Sequence, residues 1–300
     1  MAKTYSVLGD SISTFEGAVP AENRCYYDAA DTNGTGVASQ DETWWARVID
    51  AEGGELLANA SFSGSMVQGD GFPAGHDGAR ANQLLGDDGR APDAVLVFIG
   101  INDYGWASPE AQFAGGSEAA PADASYDLDG VDPAGGADDD AAERFEDAYA
   151  EMLANVREVA PYAEIWCVTL LPGRMAGQAK GTFCYRLRGV DLEEYNEAIR
   201  NAAEKAGARV ADVAELGFDY DAADGTHPTK EGMVQLAALV EAAMCKARDD
   251  EEGYAAVMGS YPERLRSSRF CDKPSCVGCP HASITDTRWS CVCADRLPVI

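Results

Sequence analysis

A serine and an Asp-x-x-His segment, far apart in the chain, have the residue types needed for nucleophilic catalysis. Ser11 closes a Gly-Asp-Ser segment that follows an apolar run, and Asp224 precedes His227 by three residues. A serine hydroxyl becomes a good nucleophile when an imidazole, itself oriented by a carboxylate, takes its proton. We therefore predict that Ser11 is the nucleophile, His227 the general base and Asp224 the residue that orients the base.

Two further segments could donate hydrogen bonds to the oxygen that becomes negative during acyl transfer. Gly64 lies just past a second apolar run, and Asn102 lies in a Gly-x-Asn-Asp segment just past a third. Backbone N–H groups and an Asn amide are suitable oxyanion donors, so we predict an oxyanion hole formed by Ser11, Gly64 and Asn102. Trp106 follows the third segment closely and is predicted to contact substrate. Each segment alone is a weak signal, because Gly, Ser and Asp are common in turns and caps.

The elements that must position these residues alternate along the chain. Short β-type apolar runs are separated by segments with helical periodicity, which predicts a parallel sheet covered by helices. In such a sheet ligands bind at the carboxyl ends of the strands, where Ser11, Gly64 and Asn102 would lie. The runs that predict strands are residues 5–8, 56–58, 94–99, 165–170 and 209–213.

The four segments together resemble the SGNH (GDSL-like) hydrolase family, whose named serine, glycine, asparagine and histidine lie in separate blocks. The resemblance covers roughly residues 3–246 and matches Ser11, Gly64, Asn102 and His227, the last with Asp224. It implies a flavodoxin-like three-layer α/β/α sandwich with a five-stranded parallel sheet. Ser61 departs from the family, which often has glycine there. A Gly-x-Ser-x-Gly elbow is absent from the sequence, which argues against the α/β-hydrolase class.

The resemblance also implies an activity. Family members cleave carboxylic esters through an acyl-enzyme, so we expect a small-molecule ester substrate, with acylated carbohydrates among the candidates, and no cofactor for catalysis. Two alternatives stay open. One is an acyltransferase that uses the same triad to acylate a sugar or another alcohol. The other is a non-catalytic scaffold that binds a partner.

Composition excludes several other classes of function. The chain has 51 Asp and Glu against 23 Lys and Arg, a formal charge of −28 that repels nucleic acids and anionic membranes. It contains no run of about 18 apolar residues that could span a bilayer. No secretory signal is visible at the N-terminus, so we expect a cytoplasmic protein whose cysteines are mostly reduced.

The chain is predicted to divide into an α/β domain at 1–250 and a Cys-rich tail at 251–300. An irregular insertion at about 106–142 is either a lid or a solvated acidic loop. The tail spacing fits a structural zinc site, with reduced, unliganded cysteines as the alternative and an iron–sulfur cluster less favoured. The candidate ligands are Cys271, Cys276, Cys279, Cys291 and Cys293.

Overall fold

A five-stranded parallel sheet forms the centre of the molecule. The computed structural model describes residues 2–106, 140–171, 173–176 and 190–266, together with the backbone of two short strands nearer the C-terminus. The strands are β1 (Thr4–Gly9), β2 (Glu55–Asn59), β3 (Ala94–Phe98), β4 (Glu164–Val168), β5 (Gly173–Met175), β6 (Arg209–Ala211), β7 (Tyr220–Ala222), β8 (Ala282–Thr285) and β9 (Arg288–Cys291).

Two layers of helices enclose the sheet. The helices are α1 (Trp44–Ala51), α2 (Gly78–Asn82), α3 (Ile101–Trp106), α4 (Ala141–Val159), α5 (Leu192–Lys205), α6 (Lys230–Ala247) and α7 (Glu251–Met258). Helix α1 packs against α6, whereas α4 packs against α2 and α5. Side-chain caps begin several of them: Thr43 caps α1, Thr229 caps α6, and Asp191 with Glu194 forms a capping box on α5.

The strand order of the central sheet is β2-β1-β3-β4-β6, with every pair parallel. The chain leaves β1 to one side for β2 and then crosses to the other side for β3. In open α/β sheets ligands bind where the strand order reverses in this way, which here is at the carboxyl end of β1. The predicted three-layer α/β/α fold is confirmed, and each predicted run coincides with a strand of this sheet within a few residues at its ends.

Four strands outside the central sheet were not predicted, and two of them, β5 and β7, bear on the site. β5 and β7 have three residues each and pair with one another in parallel. Runs this short carry no readable periodicity, which is why the sequence pattern did not indicate them. They matter for the site because the segment carrying Asp224 and His227 follows β7 directly.

The chain continues past α6 without leaving the domain. Helix α7 packs on α6, and the segment after it contacts β5 and β7. The buried Arg174 guanidinium pairs with Asp219 at 2.7 Å and also donates from Nη2 to the carbonyl oxygen of Arg266 at 3.0 Å. Leu265 is fully buried in the same place. Residues 251–266 therefore pack on the α/β domain, and the predicted division at 250 stays a prediction.

Several predicted features lie outside the described residues. The predicted insertion is described only at Trp106 and from residue 140 onward, and residues 107–139 are not described. Cys271, Cys276, Cys279 and Cys293 also lie outside, while Cys291 ends β9, whose backbone alone is described. Within the side chains that are described, no group of three or more His, Cys, Asp or Glu could hold a metal ion. The zinc site stays a prediction.

Candidate active site

Ser11 lies at the carboxyl end of β1, the second strand across the central sheet. Only glycine fits at position 9, because a Cβ there would come within 2.5 Å of the Ser13 hydroxyl. The Asp10 side chain then accepts a hydrogen bond from the backbone N–H of Ile12 at 3.0 Å and caps a single 3₁₀ turn that begins at Ser11. Ser11 is 5% exposed, so it is almost completely buried at this strand end.

His227 and Asp224 reach Ser11 from the loop after β7. The Ser11 hydroxyl lies 2.8 Å from His227 Nε2, and His227 Nδ1 lies 2.6 Å from Asp224 Oδ2. Burial opposes ionisation of Asp224, but hydrogen bonds from the His227 ring and backbone and from the Thr226 N–H prevail and lower its pKa to about 2. An ionised Asp224 requires the proton on Nδ1, which leaves Nε2 to accept from the serine hydroxyl.

Backbone contacts on both sides hold this loop in place. The Ala223 N–H donates to the carbonyl oxygen of His227 at 2.9 Å, and Gly173 of β5 donates to that of Gly225 at 3.0 Å. The Tyr220 hydroxyl donates to the carbonyl oxygen of Thr226 at 2.6 Å. The imidazole is therefore held on a loop tied to β5 and β7, which the sequence pattern did not indicate.

Gly64 and Asn102, the other predicted oxyanion donors, lie in the segments that follow β2 and β3. Gly64 has a φ of +82°, a conformation that favours glycine, and follows β2 in a tight turn. Asn102 lies in the first turn of α3, after β3, and its Nδ2 donates to the carbonyl oxygen of Ser65 at 2.9 Å. The turn after β2 is tied to β1 by a hydrogen bond from the Phe62 N–H to Gly9 at 3.1 Å. These contacts link the three strand ends.

The remaining predicted residues have different surroundings. Trp106 is the last residue of α3, and its side chain lies outside those described. His76, the second histidine in the described ranges, contacts Glu151 at 3.0 Å and the carbonyl oxygen of Gly69 at 2.6 Å. Its neighbour Asp77 caps α2, accepting from the Ala79 N–H. His76 is thus engaged away from Ser11.

A buried arginine joins the site, and the sequence pattern gave no sign of it. Arg80 of α2 is fully buried and donates to the carbonyl oxygens of Gly9 and Ala60, each at 2.9 Å, and to that of Pro73. Burial lowers its pKa to about 10, which leaves it charged at neutral pH. One guanidinium therefore ties the segment before Ser11 to the segment before Gly64. Only its burial distinguishes this arginine, and burial cannot be read from residue spacing.

Two more contributors were also missed. Asp103, next to Asn102, accepts from the backbone N–H groups of Val67 at 2.8 Å and Gln68 at 3.0 Å, and burial raises its pKa to about 7. Tyr26 stacks on the His227 ring with centroids 3.6 Å apart and planes 5° from parallel. Asp103 was visible in the Gly-x-Asn-Asp segment, whereas Tyr26 lies in a segment without any recognised pattern.

Comparison with known proteins agrees with this architecture. The sequence profile of the family described as GDSL-like lipase/acylhydrolase matches residues 3–244. No curated protein matches the chain. A solved structure of a protein described as a GDSL-like lipase from Bacteroides ovatus is 24% identical, with a TM-score of 0.52, over 82% of this chain and 99% of that one. A second, from Bacteroides uniformis, is 26% identical with a TM-score of 0.50, over 83% and 96%.

Among helices in the described ranges, none is both long and apolar enough to cross a membrane. The family match spans most of the chain, and it includes every strand of the central sheet and all the residues named above around Ser11 and His227. The resemblance to SGNH hydrolases is thereby confirmed. The chain belongs to the GDSL-like lipase/acylhydrolase family and is an enzyme that hydrolyses ester bonds.

Proposed function

We propose that the chain is a serine esterase that cleaves a carboxylic ester of short acyl length through an acyl-enzyme on Ser11. The observation that carries this proposal is the unbroken hydrogen-bond chain from the Ser11 hydroxyl through His227 to Asp224, with distances of 2.8 and 2.6 Å. A serine so placed can lose its proton to Nε2 as it attacks. The resulting imidazolium is stabilised by the Asp224 carboxylate.

In the first half-reaction, Ser11 Oγ bonds to the ester carbonyl carbon and its proton moves to His227 Nε2. The carbonyl oxygen becomes an oxyanion that accepts hydrogen bonds from the N–H groups of Ser11 and Gly64 and from the Asn102 amide. One Asn102 N–H already donates to Ser65, which fixes the amide plane and leaves its second N–H for the oxyanion. The intermediate collapses, and the alcohol leaves with the proton from Nε2.

In the second half-reaction, water attacks the acyl-enzyme carbonyl while His227 Nε2 takes its proton. The tetrahedral intermediate forms in the same oxyanion hole, and its collapse releases the carboxylic acid and returns the proton to Ser11 Oγ. No cofactor is required for either step. The alcohol portion of the substrate is open in this proposal, and an acetylated carbohydrate is the first candidate to test.

The experiment is a hydrolysis screen over aryl esters of acetyl, butyryl and longer acyl groups, with acetylated sugars included. We expect Ser11→Ala to abolish turnover with an unchanged circular dichroism spectrum, and Asn102→Ala to lower the rate by roughly 10²–10³. Ser39→Ala, at a half-buried serine before the 3₁₀ turn Gln40–Glu42, is the matched control and should keep full activity. Undiminished turnover by purified Ser11→Ala would refute the proposal.

The same assay separates hydrolysis from acyl transfer. With a sugar or other alcohol added as acceptor, a hydrolase releases free acid as its main product, while a transferase forms a new ester. We expect free acid. A fluorophosphonate probe that labels the wild type but not Ser11→Ala would argue against the non-catalytic scaffold.

A further inference from the structure

The ring of Tyr26 covers one face of the His227 imidazole. The two ring centroids lie 3.6 Å apart and the planes are 5° from parallel, so the rings overlap almost completely. Neutral aromatic pairs avoid this arrangement, because the negative faces of their π systems repel, and they prefer offset or edge-to-face contacts. A cation over an aromatic face is attracted instead. The stack therefore favours the charged form of the imidazole over the neutral form.

Tyr26 is held in this position by the segment that carries the nucleophile. The Thr14 hydroxyl donates to the carbonyl oxygen of Ser11 at 2.9 Å and accepts from the backbone N–H of Tyr26 at 2.9 Å. The Asn33 amide donates to the carbonyl oxygen of Tyr26 at 2.6 Å. One threonine hydroxyl thus couples the backbone at Ser11 to the backbone at Tyr26, which fixes the ring relative to the serine.

A second tyrosine braces the same loop from another direction. The Tyr27 ring meets the His227 ring edge-on at 6.5 Å, and its hydroxyl donates to the carbonyl oxygen of Pro228 at 3.1 Å. Tyr27 is 2% exposed, so it forms part of the wall behind the imidazole. The Tyr26 hydroxyl lies 3.4 Å from Asp224 Oδ2, a long contact that adds little to the 2.6 Å bond from the His227 ring.

We propose that Tyr26 is a positioning residue that stabilises the His227 imidazolium by stacking on its face, and so speeds formation of the tetrahedral intermediates. This inference rests on the proposed function, in which His227 is charged only while it holds the proton from Ser11 or from water. An interaction stronger in that state than in the resting enzyme lowers the barrier and raises kcat. Tyr26 acts through His227 and need not touch the substrate.

The charged and titratable groups that face His227 come from three parts of the chain. Asp224 lies on the same loop, Asp10 lies at the end of β1, and Tyr26 and Tyr27 lie on the segment after the nucleophile. Tyr26 also contacts two of these groups, since its hydroxyl lies 3.4 Å from Asp224 Oδ2 and its ring meets the Tyr27 ring edge-on at 5.0 Å. Comparing a variant that keeps the ring with one that removes it separates the ring from the hydroxyl.

The test compares Tyr26→Leu, which removes the ring, with Tyr26→Phe, which keeps the ring and removes the hydroxyl. We expect Tyr26→Leu to lower kcat by about twofold to thirtyfold with little change in KM. The acidic limb of its kcat/KM profile should move to lower pH by about 0.3 to 1.5 units, because the imidazolium is less favoured. Tyr26→Phe should retain most of the rate and the original limb. Tyr162→Leu, at a tyrosine that is 97% exposed, is the matched control.

Several results would overturn the inference. A Tyr26→Phe variant as slow as Tyr26→Leu would show that the hydroxyl, and not the ring, causes the effect. A slow Tyr26→Leu variant whose acidic limb has not moved would show that the ring only packs against His227 and does not stabilise its charged form. If Tyr26→Leu does not fold by circular dichroism, Tyr26→Trp takes its place, and it should keep the rate with the limb unmoved or at higher pH. If fluorophosphonate does not label Ser11 of the wild-type enzyme, the proposed function itself is refuted.

Discussion

Gly232 is a position where one methyl group should damage catalysis from outside the site. It lies in the first turn of α6 against β7, and a Cβ built there would stand 1.8 Å from the backbone carbonyl oxygen of Asp221. Real Cβ atoms essentially never come closer than 3.0 Å to such an atom. Gly232→Ala therefore forces helix and strand apart by about 1 Å or more, since the obstacle is backbone that cannot rotate away.

The effect on catalysis follows from the hydrogen bonds around the Asp221 carbonyl oxygen. This oxygen accepts from the backbone N–H of Thr229 at 3.0 Å, and the Thr229 hydroxyl caps α6 by accepting from the Gly232 N–H at 3.1 Å. His227 lies two residues before Thr229, so the displacement is transmitted to the imidazole. Overpacking costs about 1–3 kcal/mol of stability. A misplacement of about 1 Å in a catalytic group costs about 10²-fold in rate.

The assay is kcat/KM on a short aryl ester together with the thermal unfolding midpoint. Gly78→Ala is the matched control, because Gly78 begins α2 and a Cβ there meets nothing within 4 Å. We expect Gly78→Ala to keep full activity and a stability equal to the wild type or up to about 1 kcal/mol higher. Wild-type kcat/KM and an unchanged midpoint in Gly232→Ala would refute the idea that this contact positions His227.

Two further predictions concern the buried charges of the site. Arg80→Met should lower the free energy of unfolding, measured in urea, by at least about 2 kcal/mol. The reason is that the substitution leaves the carbonyl oxygens of Gly9, Ala60 and Pro73 without their donor. An unchanged free energy of unfolding would contradict this role of Arg80. The pKa of Asp224 is about 2 in the folded state, below its ordinary value of 3.8. As the pH falls, the Asp224 carboxylate is therefore protonated in the unfolded chain before it is protonated in the folded protein. The free energy of unfolding should then decrease between about pH 4 and pH 2. In urea titrations over that pH interval, Asp224→Asn should lose less of its free energy of unfolding than the wild type does. Equal losses in the two proteins would contradict the lowered pKa of Asp224.

Much of the architecture could be predicted because it rests on local patterns. The strands β1, β3 and β4 are buried along almost their whole length; β3 is entirely apolar, β4 is apolar after its first residue, and β1 contains the apolar run at residues 5–8 interrupted only by Ser6, so these runs stand out. The ends of these runs also located Ser11 and Asn102, since polar residues directly after a buried strand lie at the edge of the sheet. Asp224 and His227 were recognisable as a pair because they contact each other within one turn of chain.

Other features of the site depended on contacts between distant residues. Ser11 and His227 are 216 residues apart, and their 2.8 Å contact exists because β1 and the loop after β7 meet at one edge of the molecule. Arg80, Tyr26 and Gly232 carry no periodic signal, since their roles come from burial, ring stacking and close backbone approach. The sequence by itself indicated the five strands of the central sheet and the residue types that stand at their ends. The tertiary structure alone decided which of those ends meet, because burial and long-range contact arise only when the helices pack on the sheet.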